Sequence, residues 1–187
     1  MATIVDSYSE SNYSVDNGFG VFGVNISGQS FTGNGYVIDS AVFYLYKSGT
    51  PTGNITAKIY AETHTTAFGT DSVISGAALA TSDNYEISTL LTTSYALITF
   101  TFSGVNKITL TNGVKYVVTV EYPIGGSAGN NPFMGQDNTS PTHSGNTVYS
   151  TSSYNASTDS CFYVYGTPTP ATLTGISQLT AVSSLTL

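Results

Sequence analysis

Two glycine-rich segments of the 187-residue chain have spacings that occur in enzymes. Residues 18–23 match the G-x-G-x-x-G of a dinucleotide-binding loop, which needs a strand before it and a helix N-terminus after it. Residues 125–129 match the G-x-S-x-G around a nucleophilic serine, here Ser127, which also needs a following helix. Neither is followed by a helix-forming sequence, and neither His64 nor His143, both expected in loops, is expected to have a matching acid near it in the sequence. The sequence therefore predicts a non-enzymatic protein.

Oxygen-rich turns are the candidates for metal binding. Residues 137–140 (Asp-Asn-Thr-Ser) and Asp159 could offer oxygen ligands to Ca²⁺, but neither segment follows a known calcium-loop pattern. Asp, Asn and Ser also gather in turns because their side chains cap the local backbone. We therefore expect turns here and no cofactor, with a structural Ca²⁺ as the alternative.

Tyr149 and Tyr154 are candidates for binding a sugar. They lie among Ser, Thr and Asn in a loop-rich stretch, where an exposed ring can stack on a sugar while its neighbours hydrogen-bond to the sugar hydroxyls. The alternative is ordinary packing of both rings.

The composition indicates strands rather than helices. Residues that suit a pleated sheet (Val, Ile, Thr, Tyr and Phe) number 78. The long, unbranched or γ-branched residues that favour helices (Leu, Glu, Lys, Gln and Met) number only 23. The one cysteine, Cys161, excludes an intrachain disulfide and a Cys-based zinc site, and it is expected to be buried in a strand. We predict an all-β fold, an antiparallel β-sandwich of the jelly-roll type, over residues 1–166.

Alternating apolar residues predict the individual strands. Both faces of the first one are apolar, because Val42, Tyr44 and Tyr46 alternate with Ala41, Phe43 and Leu45. The turn at 49–53 predicts a hairpin between this strand and the next, and Asn112-Gly113 predicts a second hairpin. Residues 62–93 and 123–147 are expected to be mainly loops. The predicted strands cover residues 37–47, 55–61, 96–102, 114–122 and 160–166.

After Gly166 the sequence changes character. Thr-Pro-Thr-Pro at 167–170 predicts a stiff, extended linker. The residues beyond it have apolar side chains at every third position, a period that fits neither a lasting helical stripe nor a strand. We predict that residues 167–187 are an extended C-terminal tail that docks on a neighbouring subunit, with a frayed end as the alternative. The docking residues would be Leu173, Ile176, Leu179, Val182 and Leu185.

Charge narrows the possible partners. Four Lys and no Arg stand against 11 acids, for a net charge of −7, so the chain cannot form the basic surface that nucleic acid requires. No apolar run approaches the length of a membrane span, and no signal peptide is expected at the N-terminus. The surface is kept polar by 54 Ser and Thr rather than by charges, as in many extracellular and virion proteins.

Three segments together carry a resemblance to a known kind of domain: residues 29–32, residues 108–118 and residues 161–166. They resemble the jelly-roll β-sandwich domains of phage structural proteins and bacterial surface proteins, a group that includes carbohydrate-binding modules. Together with the missing signal peptide, the acidic and hydroxyl-rich composition, the Thr-Pro-Thr-Pro linker and the periodic tail, this resemblance leads us to expect a structural protein of a phage virion, in the capsid or tail. Such a protein would be released by lysis and anchored to other virion subunits through its tail, within a homo-oligomer or larger assembly. The alternative is a glycan-binding module of a surface or secreted protein.

Overall fold

Two antiparallel sheets form the fold, as a computed structural model of the chain shows for residues 1–20 and 25–169. We number the strands along the chain. The first sheet contains β1 (Thr3–Tyr8), β2 (Val15–Gly18), β4 (Tyr36–Ser48), β8 (Ala96–Thr101), β10 (Asn131–Asp137), β13 (Asp159–Ser160) and β14 (Phe162–Pro168). The second contains β3 (Ile26–Thr32), β5 (Asn54–Thr63), β6 (Val73–Thr81), β7 (Tyr85–Glu86), β9 (Lys115–Glu121), β11 (Thr147–Val148) and β12 (Tyr154–Asn155). Short 3-10 helices occur at Glu10–Asn12, Ile87–Thr89 and Gly104–Asn106.

This architecture confirms the predicted all-β class and the two-sheet sandwich, and it is compatible with a jelly roll. The core lies between the sheets, where side chains from alternate positions of each strand meet. Phe43 and Leu45 of β4 face Val118 and Val120 of β9 across this core. The strands predicted from alternation are present as β4, β5, β8, β9 and β14, and Cys161 is buried as expected.

Both predicted hairpins are wrong. β4 pairs with β8, β10 and β14, whereas β5 pairs with β6, β7 and β9, so the turn at 49–53 carries the chain from one sheet to the other. The Asn112-Gly113 turn does the same, because Thr109 bridges to Val37 in the first sheet and β9 belongs to the second. Each of these strands has one face in the core, and two such strands can pack across the core as readily as they can pair side by side.

Several strands lie where no strand was predicted, and three of the longer ones change the picture most. They are β1 in the polar N-terminal region, and β6 and β10 in the two segments that were expected to be loops. β10 lacks a clean alternation and has Pro132 as its second residue, yet it pairs with β2 on one side and with β4 and β13 on the other. Proline is tolerated there because it lies at the start of the strand.

β14 extends through Pro168, so Thr167 and Pro168 of the predicted linker pair with Val37 and Tyr36 of β4. The predicted docking residues Leu173, Ile176, Leu179, Val182 and Leu185 lie outside the described residues. Among the residues that the structure does describe, no helix has the length and apolar character needed to cross a membrane.

Candidate functional site

An aromatic cleft opens on the outer face of the first sheet. It has a volume of about 250 Å³, and we call it the tyrosine cleft. Its lining combines three tyrosines, one carboxylate and a rim of hydroxyl side chains. The lining residues are Tyr13, Asp16, Tyr46, Thr92, Thr93, Ser94 and Tyr95.

Strand pairing brings these residues together from separate segments. The side chains of Tyr44 and Tyr46 project from the outer face of β4, because the residues that alternate with them, Phe43 and Leu45, fill the core. In the next strand Phe133 lies opposite Tyr46, and beyond it Asp16 of β2 lies opposite Gly135 of β10. Tyr95 directly precedes β8. Tyr13 follows the first 3-10 helix, where its backbone N–H donates to the backbone carbonyl of Glu10.

The rings form one continuous cluster. Tyr95 is at its centre, with ring centroids 4.7 Å from Tyr44, 4.5 Å from Tyr46 and 5.0 Å from Tyr13. Tyr46 in turn stacks on Phe133 at 4.8 Å. Such separations are those of favourable aromatic contacts, which fix the rings relative to one another. The cluster is therefore preorganised before any ligand arrives.

Gly135 makes room for the rings on the sheet surface. A Cβ atom at this position would lie 2.7 Å from Cδ1 of Tyr44 and 3.2 Å from Cδ2 of Tyr13. The missing side chain therefore lets both rings lie close against the β10 backbone.

Three tyrosine hydroxyls converge on the carboxylate of Asp16. The hydroxyls of Tyr13 and Tyr95 donate to Oδ1 at 2.5 and 2.8 Å, and the hydroxyl of Tyr46 donates to Oδ2 at 3.4 Å. The hydrogen bond to Asp16 and burial together raise the pKa of Tyr13 to about 12. Burial first, and then the same carboxylate, raise the pKa of Tyr95 and of Tyr46. These hydroxyls therefore stay protonated at neutral pH and hold the carboxylate in place.

Asp16 remains exposed to solvent and has no cationic partner in the cleft. The chain contains no Arg. Its four lysines bind elsewhere: Lys47 to the carbonyl of Ser88, Lys58 to Glu121, Lys107 to Asp39 and Lys115 to Thr32. The cleft thus offers ring surfaces, a negative hydrogen-bond acceptor and neutral hydroxyls, which is the chemistry that a polyhydroxylated ligand needs.

A second, larger cleft of about 460 Å³ surrounds Ser127. Its other lining residues are Thr50, Pro51, Thr52, Tyr122, Gly125, Gly126 and Asn130. The side chain of Asn130 donates to the hydroxyl of Ser127 at 3.3 Å, and neither a histidine nor an acid lines this cleft among the described residues. Ser127 therefore lacks a general base there. Gly23 of the G-x-G-x-x-G match lies outside the described residues.

Both histidines have acid partners, and the partner of His64 lies only two residues away in the sequence, contrary to expectation. Nδ1 of His64 lies 2.9 Å from Glu62. Nε2 of His143 lies 3.1 Å from Asp6, while Nδ1 accepts from the backbone N–H of Gly145. Because a backbone N–H can only donate, Nδ1 must be the acceptor and carries no proton. The ring proton is therefore on Nε2 and points to the carboxylate of Asp6. His143 thereby links β1 to the segment before β11.

Asp137 and Asp159, the candidate calcium ligands, bind donors of the protein. Asp137 accepts the hydroxyl of Tyr8 at 2.7 Å, the hydroxyl of Ser14 at 2.9 Å and the backbone N–H of Thr139 at 2.9 Å. Asp159 accepts the amide of Gln29 and the backbone N–H of His143, each at 2.8 Å. Within residues 1–20 and 25–169, no three His, Cys, Asp or Glu side chains are grouped as a metal site would require.

Tyr149 and Tyr154 lie on the small hairpin of β11 and β12. Val148 pairs with Tyr154, so the side chain of Tyr149, one residue further, points to the opposite face. The hydroxyl of Tyr149 donates to Gln136 at 3.4 Å, and burial raises the pKa of Tyr149. Tyr154 is 43% exposed. The two rings do not form one platform, and sugar binding by either one stays a prediction.

Sequence reasoning missed the tyrosine cleft, although one signal pointed to it. Tyr44 and Tyr46 form an apolar outer face on a strand whose inner face already fills the core. Such a second apolar face needs a cover or a ligand. Nothing local in the sequence links Tyr13 and Asp16 with Tyr95 or with β4, because these residues lie in segments far apart along the chain.

Comparison with known proteins adds no relative to this description. No protein-family model matches the chain, and no curated protein or solved structure shows significant similarity to it. The function must therefore be argued from the geometry of the clefts themselves.

Proposed function

We propose that this protein is a non-enzymatic binding module that recognises carbohydrate through the tyrosine cleft. One observation carries the proposal: three tyrosine hydroxyls converge on the exposed carboxylate of Asp16 inside a preorganised aromatic cluster. Exposed aromatic surface that surrounds a few convergent polar groups is the usual construction of a small-molecule site.

Each part of the cleft has a role in this proposal. Sugar rings carry apolar C–H faces that stack on aromatic rings, and here Tyr46 and Tyr95 supply the aromatic surface. Neighbouring sugar hydroxyls donate to the free lone pairs of Asp16, and a hydrogen bond to a charged group is stronger than one between neutral groups. The hydroxyls of Thr92, Thr93 and Ser94 surround the ligand.

Substitution of the central ring tests this proposal. Binding of the full chain to a glycan array and to soluble polysaccharides is measured for the wild type and for Tyr95→Ala. We expect Tyr95→Ala to weaken binding at least about tenfold, because truncation of a central hot-spot tyrosine costs about 2 kcal/mol or more and about 1.4 kcal/mol is tenfold in affinity. The matched control is Tyr154→Ala, an exposed tyrosine of the other sheet.

The control also separates two sites. If binding is lost in Tyr154→Ala and kept in Tyr95→Ala, the sugar site is the β11–β12 hairpin, and the cleft proposal is wrong. If the wild type binds no carbohydrate, the proposed function itself is wrong.

A second proposal concerns where the module acts. We infer that it is displayed on a phage virion and anchored through the C-terminal residues, with display at a cell surface as the alternative. The acidic, hydroxyl-rich composition and the regular apolar residues after position 170 support this role. The two proposals are compatible, because many displayed copies turn weak binding into strong adhesion.

A further inference from the structure

A second aromatic pair lies on the same outer face as the tyrosine cleft. Tyr163 and Tyr165 of β14 stack with their ring centroids 6.2 Å apart and their planes 20° apart. The hydroxyl of Tyr163 donates to the carboxylate of Glu10 at 2.5 Å. This pair resembles the cleft in part, because it combines stacked tyrosine rings with one carboxylate that a tyrosine hydroxyl binds.

Strand register aligns the second pair with the cleft. Tyr165 lies opposite Ser40 and Tyr163 opposite Val42 of β4, and both β4 residues share a face with Tyr44 and Tyr46. An aromatic ring therefore lies at or beside each of positions 40, 42, 44 and 46 on the outer face of β4. Positions 40 and 46 are six residue steps apart, or about 20 Å along the strand, so the aromatic surface is longer than one sugar ring.

The two ends of this surface are connected. Tyr163 is a diagonal neighbour of Tyr44, at roughly 7–8 Å in an antiparallel pair. Tyr44 stacks on Tyr95 of the cleft, with centroids 4.7 Å apart. One ligand can thus contact the cleft and the Tyr163–Tyr165 pair together.

Charge restricts what this surface can bind. Each end presents one carboxylate, Asp16 or Glu10, and the lysines of the chain bind elsewhere, as described above. An anionic chain would place its own carboxylates or sulfates beside these groups, and like charges in contact are unfavourable. A neutral chain avoids this repulsion and offers hydroxyls to both carboxylates.

We infer that the ligand is an uncharged, linear polysaccharide that occupies two subsites, the tyrosine cleft and a second subsite formed by Glu10, Tyr163 and Tyr165. This inference rests on the proposed function and adds the substrate class and the chain length to it. Neither subsite alone would distinguish a polysaccharide from a short sugar.

Chain length tests the second subsite. Calorimetry compares cellobiose with cellohexaose, maltose with maltohexaose and mannobiose with mannohexaose on the full-length protein. We expect a hexasaccharide of one series to bind at least about tenfold more tightly than its disaccharide, because it reaches both subsites. Tyr163→Ala should remove this gain and leave disaccharide affinity within about twofold of wild type, since separate sites act independently.

Matched polymers test the charge requirement. Affinity electrophoresis compares hydroxyethyl cellulose with carboxymethyl cellulose, dextran with carboxymethyl dextran, and galactomannan with its carboxymethyl derivative. We expect the neutral polymer that binds best to lose at least about tenfold in affinity when it is carboxymethylated. The double variant Glu10→Gln, Asp16→Asn should bring the two affinities closer together.

The outcomes separate this inference from the proposed function. Disaccharide binding without a gain from chain length overturns the second subsite and leaves the cleft as the sugar site. Equal or tighter binding of the carboxymethylated polymer overturns the uncharged class. Absence of binding to every probe overturns the proposed function and, with it, this inference. Far-ultraviolet circular dichroism shows that each variant is folded, and Tyr165→Ala gives an independent variant of the second subsite.

Discussion

At the scale of single residues, Asp16 organises the candidate site. Its carboxylate accepts three tyrosine hydroxyls, so it fixes ring positions and also provides the acceptor that a sugar would meet. Each tyrosine that donates to it must stay protonated. This condition holds at neutral pH, because the hydrogen bond to Asp16 and burial raise the pKa of Tyr13, and burial and the same hydrogen bond raise the pKa of Tyr95.

Removal of this charge should change the titration of Tyr13. Its pKa is raised from 10.0 to about 12, with the hydrogen bond to Asp16 as the largest cause. We expect Asp16→Asn to bring the pKa of Tyr13 back toward 10.0, as measured by NMR of the tyrosine rings during an alkaline titration. Tyr8 is the control, because burial and Asp137, not Asp16, raise its pKa to about 12. An unchanged Tyr13 titration would show that Asp16 does not hold this hydroxyl.

The same tyrosines predict how stability depends on alkaline pH. In the unfolded chain a tyrosine loses its proton near pH 10, whereas Tyr8 and Tyr13 keep theirs in the folded protein up to about pH 12. Their contribution to the free energy of unfolding is therefore complete below pH 10 and is lost as the pH rises from 10 to 12. Chemical denaturation at a series of pH values measures this decline, and constant stability over that range would contradict it.

Asp137 predicts the behaviour in acid. Burial would raise the pKa of its carboxyl, but hydrogen bonds from Thr139, Tyr8 and Ser14 outweigh burial and hold it well below the ordinary 3.8. Its stabilising effect is therefore present above pH 3.8 and is lost as the pH falls below that value. We expect Asp137→Asn to lower the free energy of unfolding by about 1–3 kcal/mol at pH 7, because several donors lose a charged acceptor.

Acid denaturation provides the check on Asp137. The difference between wild type and Asp137→Asn should shrink as the pH falls, because the wild-type carboxyl also becomes neutral. A difference that stays constant down to the lowest accessible pH would mean that the charge of Asp137 is not the stabilising feature.

At the scale of secondary-structure elements, β10 decides where the site lies. It separates β4 from β2, and this order places Asp16 within reach of the tyrosines that β4 and the start of β8 present. Gly135 of β10 leaves room above the strand for two of the rings. A strand with a poor alternation pattern thus carries the geometry of the cleft.

A methyl group at position 135 should disturb the cleft and leave the sheet intact. In Gly135→Ala the new Cβ would lie 2.7 Å from Tyr44, so the ring must move. Because the chain has no Trp, near-ultraviolet circular dichroism reports mainly on tyrosine, and we expect its signal to fall. Sugar binding should weaken at least about tenfold.

The control for this substitution is Leu79→Ala, an exposed residue of β6 in the other sheet. It should leave both the near-ultraviolet spectrum and binding unchanged. If Gly135→Ala also leaves them unchanged, the rings do not depend on this glycine.

At the scale of the whole molecule, the open question is what the residues after β14 do. β14 ends at Pro168, so a chain that stops at Thr169 keeps every described strand, whereas one that stops at Gly166 loses two paired residues. We expect the chain ending at Thr169 to be a folded monomer by light scattering, and the full-length chain to form an assembly or bind virion particles. Equal behaviour of the two chains in both assays would contradict anchoring through the tail.

The sequence by itself determined the all-β class, most of the longer strands, the buried Cys161 and the lack of a basic surface for nucleic acid. These features depend on composition or on alternation within a few residues, which any short segment displays by itself. It also contained the two-sided apolar pattern of β4, the one local sign of a functional face.

Only the tertiary structure decided which strands pair. The pairing in turn decided which residues meet in the tyrosine cleft. The two turns expected to form hairpins instead cross between sheets, because the side on which a strand pairs is set by the whole core rather than by its turn. Tyr13 and Asp16, Tyr46, and Tyr95 come from three segments far apart in the chain, and Asp16 reaches Tyr46 and Tyr95 because β10 and β2 add to the sheet beside β4. Such long-range pairing leaves no pattern in the sequence near any one of these residues, so the cleft could not be predicted from the sequence.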